Sequence, residues 1–322
     1  MIYRAMTAPL ARISRGLPYA VAYLYTRLIS LVRRVMPGIL PLPIRPVAVM
    51  GLSFPNPVGL AAGFDRTGRL SRDIAAAGLG FIEVGTVNAN ASLLRDPALR
   101  RCVRNLRRFH DRRGDGAAAT PRPLVGISLG SLRDPEDELA ILDIQLGMTA
   151  LWRYVDYLVI NLSRPGSPLR SSAAGRTEVF NLLQGVKQRY DALLQASDRH
   201  VPIVIKVLIE PRAEGCALPV AALIARELNF DGVLAAFEQW PERGTVEQCI
   251  AVVAERIRPL PLIAVGGIRT AADARRALTA GAALVQIYTA LVRKGPLGVR
   301  RISSGLGDGV ADCPSSNLHA VQ

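Results

Sequence analysis

The stretch that decides the fold reads Leu262-Ile-Ala-Val-Gly-Gly-Ile268 and, after an alanine-rich segment, Gly281-Ala-Ala-Leu-Val-Gln-Ile-Tyr288. Each part is a short apolar run typical of a buried strand, and the segment between them, Ala271 to Ala280, has the composition of a helix. The paired glycines let the backbone approach an anion, because no Cβ stands in the way. This order predicts the phosphate cup of a (β/α)8 barrel, in which backbone N–H groups point at the phosphate. A plain βαβ crossover with a tight turn is the alternative interpretation.

Six further apolar runs precede this stretch, with helical patterns between them. Repeated β-then-α units with continuous apolar strands predict a parallel sheet that is buried on both faces. Eight units in about 260 residues favour an α/β fold of the (β/α)8 TIM barrel type over an open sheet. The expected strands are Val58–Leu60, Phe81–Gly85, Leu124–Leu129, Tyr157–Asn161, Ile203–Val207, Gly232–Ala236, Leu262–Val265 and Leu284–Tyr288.

Three domains follow from this pattern: an N-terminal helical extension over residues 1–45, the barrel over residues 46–302 and a flexible tail over residues 303–322. Val47 to Pro55 is expected to form a small hairpin, and Arg66 to Ala77 to form the first barrel helix. The segment from Leu94 to Pro123 contains nine arginines and little periodicity, which predicts a long basic loop.

The composition limits the kinds of site. Four cysteines are widely spaced without a CxxC pair and three histidines are scattered, so we expect no metal site and no disulfide framework, and we favour a reducing cytosolic compartment. A net charge of +14 admits nucleic acid, anionic lipid or an acidic ligand as a partner. No basic surface with interleaved aromatic residues is found, which argues against nucleic acid.

The N-terminal 64 residues contain seven arginines and no acidic residue. Within them, Leu17 to Thr26 is apolar and aromatic, but it is shorter than the roughly 20 residues that a membrane span needs. An amphipathic helix that binds an acidic membrane surface fits this pattern best, which predicts a peripheral protein on the cytoplasmic side of a membrane. A cleavable targeting peptide, or a helix that packs on the barrel with a solvated basic face, remains open.

Functional side chains of such a barrel follow the carboxyl ends of its strands. Lys206 ends an apolar strand, where its ammonium group either faces a bound anionic electron acceptor or reaches the solvent at the rim. Asn161 also ends an apolar run, where its amide either binds a polar ring edge or forms a turn. As a further alternative, Lys206 would be the catalytic amine of a phosphate-binding isomerase or lyase.

Several motifs carry a resemblance to a known family. Met50-Gly-Leu-Ser-Phe-Pro-Asn-Pro-Val-Gly-Leu-Ala-Ala-Gly-Phe-Asp65 and Phe81-Ile-Glu-Val-Gly-Thr86 resemble the membrane-associated, quinone-dependent dihydroorotate dehydrogenases, as do Tyr157 to Asn161, Ile263 to Ile268 and Leu284 to Tyr288. The resemblance implies a flavoprotein of pyrimidine biosynthesis that binds FMN, oxidises dihydroorotate and passes electrons to a quinone. It places Arg66 at a substrate-binding position. The implied FMN contacts are Ala62, Gly63, Thr86, Ser128, Asn161, Lys206, Gly266, Gly267, Tyr288 and Thr289.

The substrate side departs from the family pattern. The family's Asn-x-Ser-Ser-Pro-Asn-Thr motif reads Asn161-Leu-Ser163-Arg164-Pro165-Gly166-Ser167 here, so Arg164 stands at the position of the base serine. An arginine is always protonated and cannot accept the substrate proton. Ser163 is adjacent, but neighbouring side chains of an extended segment face different directions. A dihydroorotate dehydrogenase-type flavin oxidoreductase is therefore weighed against a catalytically weak or inactive paralogue that binds FMN, another phosphate ligand or a protein partner.

Overall fold

The structure, a computed structural model, describes residues 19–33, 35–36, 43–71, 73–93, 96–111, 122–133, 137–163, 175–212, 215–237 and 243–306. Eight parallel strands form a closed barrel, and two short antiparallel hairpins lie outside it. The first hairpin is β1 Val47–Val49 with β2 Leu52–Phe54, and the second is β8 Glu210–Arg212 with β9 Gly215–Ala217. The barrel strands are β3 Val58–Leu60, β4 Phe81–Asn88, β5 Leu124–Gly130, β6 Tyr157–Asn161, β7 Ile203–Leu208, β10 Gly232–Ala236, β11 Leu262–Val265 and β12 Leu284–Ile287.

Helices cover the outside of the barrel. The predicted (β/α)8 TIM barrel is confirmed, because each expected strand coincides with an observed one to within three residues. The helices are α1 over residues 19–33, α2 Pro97–Asp111, α3 Glu138–Leu151, α4 Arg176–Gln195, α5 Val220–Glu227, α6 Arg243–Arg256, α7 Ala271–Thr279 and α8 Thr289–Ser304, with 3-10 turns at Ile74–Ala77 and Trp152–Tyr154.

Side chains at alternate strand positions point into the barrel and form two zones. The lower zone, near the amino ends of the strands, is apolar, and Phe54 of the β1–β2 hairpin closes it from below. The upper zone is polar on five strands, because inward positions further along β4, β5, β6, β7 and β12 carry polar side chains. The inward residues of the lower zone include Phe81, Tyr157, Val204, Leu234, Ile263 and Leu284. Those of the upper zone are Glu83, Ser128, Asn161, Lys206 and Gln286.

Two glycines make room for the large rings of the lower zone. A Cβ at Gly59 would lie 2.2 Å from the ring of Phe81, and a Cβ at Gly126 would lie 2.1 Å from the ring of Tyr157. Small residues therefore face large ones on neighbouring strands, which fills the narrow interior at the density of a protein core.

On the outside of the barrel, α1 lies where the first barrel helix was expected. The expected helix from Arg66 to Ala77 is wrong: only the turn Ile74–Ala77 is helical. The buried Asp65 carboxylate accepts hydrogen bonds from Thr67 N at 3.0 Å and Leu70 N at 2.6 Å, and Gly68 has a φ of +74°. Because these bonds and this left-handed residue hold the segment in turns, α1 lies beside it instead.

The inner face of α1 packs on the barrel and its outer face is apolar. Ala22, Thr26, Ile29 and Ser30 are buried, and the Tyr19 ring lies 4.8 Å from the Phe64 ring. The exposed stripe of α1 and the two residues described after it comprises Val21, Leu24, Leu28, Leu31, Val32, Val35 and Met36. Within the described ranges, none of the helices combines the length and apolar character needed to cross a membrane.

The expected basic loop between Leu94 and Pro123 is also wrong in its first half. Residues 97–111 form α2, which buries Leu99, Cys102 and Leu106 against the barrel. These apolar positions recur at helical spacing, but the arginines between them conceal the pattern in a composition count. Residues 112–121 lie outside the described residues.

The described barrel continues slightly past its expected end. α8 runs to Ser304, two residues beyond the boundary expected at residue 302, and its φ and ψ angles are non-helical at Gly295. Residues 1–18 and 307–322, which fall in the expected N-terminal extension and C-terminal tail, lie outside the described residues.

Candidate active site

Four polar side chains form one hydrogen-bonded chain at the mouth of the barrel. The hydroxyl groups of Thr86 and Ser128 lie 3.1 Å apart, and Asn161 Nδ2 donates to Thr86 Oγ1 at 2.8 Å. The Asn161 Oδ1 atom accepts from the backbone N–H of Ser163 at 2.9 Å and from its hydroxyl at 2.8 Å. Thr86 and Ser128 lie in the carboxyl-terminal halves of β4 and β5, and Asn161 ends β6, so the barrel register brings them together.

A charged cluster lies inside the barrel, just below this chain at Glu83. Glu83 is completely buried, and its Oε1 atom is 3.7 Å from Lys206 Nζ. Its Oε2 atom accepts a hydrogen bond from Gln286 Nε2 at 2.6 Å. A buried carboxylate needs a cation or donors to offset its lost hydration, and these two side chains supply both. The ammonium group of Lys206 is thereby held at the upper end of the interior, with 11% of its side chain exposed.

Three polar atoms beside this cluster have no hydrogen-bond partner among the described atoms: Glu83 Oε1, Gln286 Oε1 and the Tyr157 hydroxyl. Burial, and then the charge of Glu83, raise the pKa of Tyr157 well above 10. The Tyr157 hydroxyl therefore stays protonated, and the interior below the mouth holds one negative and one positive side chain, Glu83 and Lys206.

After β11, the mouth of the barrel is lined by backbone atoms and not by polar side chains. Gly266 has a φ of +120° and Gly267 a φ of +71°. A Cβ at Gly266 would lie 2.1 Å from the carbonyl oxygen of Phe237, whereas a Cβ at Gly267 would meet no atom within 4 Å. Gly266 must therefore be a glycine for packing, and Gly267 faces open space.

The helix α8 begins beside this glycine turn. Val265 and Gln286 are register partners on β11 and β12, so the residues after them lie side by side. Tyr288 caps α8 without a side-chain hydrogen bond, and the first turn of α8 has no acidic residue. The free N–H groups of a helix start and an open glycine turn form a binding site for a phosphate group. These residues therefore fit the phosphate of a nucleotide cofactor.

The residues that follow β3 connect the mouth of the barrel to α1. Gly63 N donates to Gly85 O at 2.7 Å, and the Tyr288 ring comes within 3.4 Å of the Cβ position of Gly63. The Phe64 ring lies 6.1 Å from that of Tyr288, and the hydroxyl of Tyr19 donates to Phe64 O. Aromatic side chains of α1 thus reach the edge of the mouth next to Gly63.

The structure brings together most of the residues that the sequence singles out. Residues in the carboxyl-terminal halves of barrel strands, or after those strands, include Ala62, Gly63, Thr86, Ser128, Asn161, Ser163, Lys206, Gly266, Gly267, Tyr288 and Thr289. Arg66 is exposed in the turn after Asp65, on the side where α1 packs. Arg164 lies outside the described residues.

Sequence reasoning missed the polar cluster below the mouth. Glu83 and Gln286 stand at inward positions within apolar strands, and a charged or amide residue in such a run is the signal that could have revealed them. Both lie within motifs whose apolar and glycine residues indicate only a strand and a turn.

The fold is a (β/α)8 barrel with an N-terminal helix beside its mouth and a glycine turn that has the geometry to fit a phosphate. The family described as dihydroorotate dehydrogenase matches residues 243–309. Dihydroorotate dehydrogenase (quinone) of Saccharophagus degradans is 32% identical over 285 residues, which cover 78% of this chain and 83% of that protein. The same-named protein of Pseudomonas syringae pv. syringae is 34% identical over 289 residues, covering 79% of this chain and 83% of the relative. The chain belongs to the quinone-type dihydroorotate dehydrogenase family.

Solved structures agree with this at the level of the fold. DHODH from Eimeria tenella in complex with ferulenol has a TM-score of 0.69 and 22% identity, and the match covers 92% of this chain and 90% of that one. The ligand-free form from the same organism gives the same TM-score and covers 88% of this chain and 93% of that one.

Proposed function

We propose that the protein is a flavin oxidoreductase of the dihydroorotate dehydrogenase type, which binds FMN at the barrel mouth and passes electrons to a quinone. The observation that carries the proposal is the pairing of the open Gly266-Gly267 turn with the uncapped start of α8, in the same barrel whose interior holds the Lys206 ammonium group two strands away from the turn. A phosphate at the glycines and a cation at the strand ends are what an anionic, phosphorylated ring system requires.

Each residue of the site has a role in this proposal. Gly266, Gly267 and Thr289 hold the phosphate through backbone N–H groups, and Lys206, held by Glu83, presents a positive charge to the ring system. Asn161 and Thr86 are joined by a hydrogen bond of 2.8 Å and orient each other toward the mouth. When bound, FMN supplies the acceptor for the substrate's hydride and the donor for the quinone.

A second candidate function is favoured by one observation. Arg164 occupies the position of the family's base serine, and a guanidinium group accepts no proton. The hydroxyl of the adjacent Ser163 is buried and already donates to Asn161 at 2.8 Å. This favours a paralogue that binds FMN but oxidises dihydroorotate slowly or not at all.

Absorbance spectra distinguish the two functions. Purified protein with a flavin spectrum supports FMN binding, and protein that remains colourless after incubation with FMN contradicts it. Anaerobic bleaching of the flavin by dihydroorotate, with reoxidation by a quinone, supports the dehydrogenase. A stable flavin spectrum in the presence of dihydroorotate supports the paralogue.

The quinone and the membrane belong to the same proposal. Leu24 and Leu28 on the outer face of α1 are 66% and 55% exposed, and they face away from the barrel, so they are available to the acyl region of a bilayer. The Tyr19 side of α1 meets the mouth at Phe64, so a lipid-soluble acceptor would enter beside α1. A chain that starts at Ile44 should lose binding to anionic liposomes, and cosedimentation equal to that of the full-length protein would contradict the attachment.

A further inference from the structure

Two cysteines lie in neighbouring elements on the outside of the barrel. Cys216 is the middle residue of β9, and Cys249 lies in α6. The strand β9 packs against α6, with Cα atoms of the two elements within 8 Å of each other. Both side chains pack in the same apolar cluster, and both thiols are free. The fold therefore brings together two thiols that are far apart in the sequence.

The two thiols are in direct contact. The thiol of Cys249 shares a hydrogen bond with the thiol of Cys216. Burial, then this hydrogen bond and the charge of a Cys216 thiolate, raise the pKa of Cys249 to about 12. Cys102 in α2 differs, because burial and then the charge of Asp65 raise its pKa to about 12 without the contribution of a second thiol. A disulfide requires two sulfur atoms that are as near to each other as those of Cys216 and Cys249.

The two thiols differ in their access to solvent. Cys249 is 2% exposed, whereas Cys216 is partly exposed in its hairpin. An oxidant from solution reacts with a thiol that it can reach, and deeply buried cysteines are inert toward it. We therefore expect Cys216 to react with the oxidant first, and the buried Cys249 to react with the oxidised Cys216.

Two other roles fit these cysteines less well. A buried cysteine often acts as a small apolar residue, which accounts for Cys249 but not for the partly exposed thiol that is hydrogen-bonded to it. A structural metal site with thiolate ligands needs about four ligands. Within the part of the chain that the structure describes, no group of three or more histidine, cysteine or acidic side chains could hold a metal ion. The chemistry that two thiols carry out without further ligands is the formation of a disulfide.

We propose that Cys216 and Cys249 form a reversible disulfide when hydrogen peroxide reaches the protein. In the first step the Cys216 sulfur attacks the peroxide: the O–O bond breaks, an S–O bond forms, and Cys216 becomes a sulfenic acid as one water leaves. In the second step the Cys249 sulfur attacks the Cys216 sulfur: the S–S bond forms, the S–O bond breaks, and the hydroxyl group leaves as water with the proton of Cys249. The two thiols together lose two protons and two electrons, and the peroxide is reduced to two molecules of water.

The disulfide would join the connections that follow two adjacent barrel strands. The β8–β9 hairpin begins directly after β7, the strand that carries Lys206, and α6 follows β10. At the base of the hairpin, Ile209 N donates to Ala236 O of β10 at 2.9 Å. A bond between β9 and α6 adds a covalent link to this hydrogen bond, so the hairpin should be more rigid in the oxidised protein. The inference does not depend on FMN, because neither thiol belongs to the candidate active site.

The test compares the full-length wild type with Cys216→Ser, Cys249→Ala and the control Cys102→Ala, which removes a buried thiol elsewhere. Each reduced protein is treated with hydrogen peroxide, alkylated under denaturing conditions and mapped by mass spectrometry of its peptides without reduction. We expect the wild type and Cys102→Ala to form a cross-link between the peptides that contain Cys216 and Cys249, and dithiothreitol to remove it. Cys216→Ser and Cys249→Ala should lose the cross-link completely. In Cys249→Ala, dimedone should trap the sulfenic acid at Cys216, because the second thiol is gone.

Hydrogen exchange measures the effect of the cross-link on the fold. Amides of the β8–β9 hairpin should exchange roughly 10-fold more slowly in the oxidised wild type than in the reduced protein, because local opening of the hairpin is restrained. The β1–β2 hairpin is the internal control, and its exchange should be the same in both states.

Three results would overturn the proposal. The first is separate oxidation of Cys216 and Cys249 without a cross-link, and the second is a cross-link to another cysteine or to a second chain. The third is a cross-link that dithiothreitol does not remove. If Cys249→Ala fails to fold, the peptide map of the wild type decides the question without it. None of these measurements uses flavin or turnover, so a failure of the proposed oxidoreductase activity is seen separately.

Discussion

The side of the barrel mouth formed by β11, β12 and α8 is made of backbone, whereas the side formed by β4, β5 and β6 is made of side chains. On the first side, the available polar groups are backbone N–H groups of the glycine turn and of the uncapped helix start. On the second, Thr86, Ser128 and Asn161 form the hydrogen-bonded chain that ends at Ser163, the residue before Arg164 in the sequence. The family pattern is kept on the backbone side and altered on the side-chain side.

The difference shows which parts of a site resist substitution. A backbone N–H group is supplied by almost any residue, so a phosphate site persists as long as its glycines do. A proton acceptor or a substrate amide is supplied by one side chain, and a single change removes it. Cofactor binding and substrate chemistry can therefore separate within one barrel.

The largest expected effect concerns Arg164. If the side-chain side has lost its base, flavin reduction by dihydroorotate in the wild-type protein should be about 10²–10⁴-fold slower than in a relative with a base. Arg164→Ser should recover little, because Gly166 also stands where the family motif has an asparagine that could orient the substrate. Anaerobic stopped-flow absorbance measures both rates, with Arg258→Ser, an exposed residue after α6, as the control.

Wild-type turnover at ordinary dehydrogenase rates, about 1–10³ s⁻¹, would contradict the loss of the base on the side-chain side, because another residue would then serve as the base. Ser163→Ala would be the next variant to measure.

The buried Glu83–Lys206 pair lies below the mouth of the barrel. Its loss should affect the stability of the fold more than the rate of the reaction. Glu83→Ala leaves the Lys206 ammonium group without its carboxylate, which should lower the free energy of unfolding by about 3–5 kcal/mol. The control is Glu255→Ala, which removes an exposed pair with Arg258 at 3.1 Å and should cost less than about 1 kcal/mol. Chemical denaturation measures both values, and equal losses in the two variants would show that the pair is not supporting the mouth.

On the backbone side, Gly267→Glu should release flavin. The carboxylate would enter the open space beside α8 and repel the phosphate, which should weaken FMN binding by roughly 10–100-fold, the value of one lost charge-assisted hydrogen bond. Gly267→Ala has the same backbone strain at a φ of +71° without the charge, so the difference between the two variants isolates electrostatics. Fluorescence titration with FMN measures it, and wild-type affinity in Gly267→Glu would place the phosphate elsewhere.

The smallest expected effect is the contribution of Tyr157 to the pH dependence of the free energy of unfolding. Burial holds its pKa well above 10 in the folded protein, whereas an unfolded tyrosine ionises near pH 10. Below that pH the hydroxyl is protonated in both states and contributes no pH dependence. Above it, only the unfolded chain loses the proton, so the free energy of unfolding falls by about 1.4 kcal/mol per pH unit. Tyr157→Phe should lack this part of the fall, and identical alkaline unfolding curves would contradict the burial effect.

The barrel was predictable because its strands are continuous apolar runs separated by helical patterns. Leu262–Val265 and Gly232–Ala236 were placed at their observed bounds, since a strand that is buried on both faces has no polar residue to obscure its ends. The glycine turn was predictable for a related reason: Gly266 cannot carry a Cβ beside Phe237, and this constraint is visible in the sequence as a glycine pair.

The remaining features depend on tertiary contacts that no local pattern specifies. α2 was missed because its arginines dominate the composition, although Leu99, Cys102 and Leu106 follow a helical period. The turn after Asp65 depends on a buried carboxylate that bonds to Leu70 N, which composition does not show. The partnership of Glu83 with Gln286 joins the second barrel strand to the last, and only closure of the barrel creates it.

The docking of α1 also bears on the order in which the protein is made. The α1 helix is synthesised before the barrel. However, the Cβ position of Gly295 in α8 lies 3.0 Å from the Tyr25 ring, so part of the surface on which α1 packs belongs to α8, the last helix described. Until α8 has been synthesised, this part of the packing surface is missing. The inner apolar residues of α1 therefore remain exposed during synthesis. We therefore expect the nascent chain to meet a membrane or a chaperone through α1 before the barrel closes.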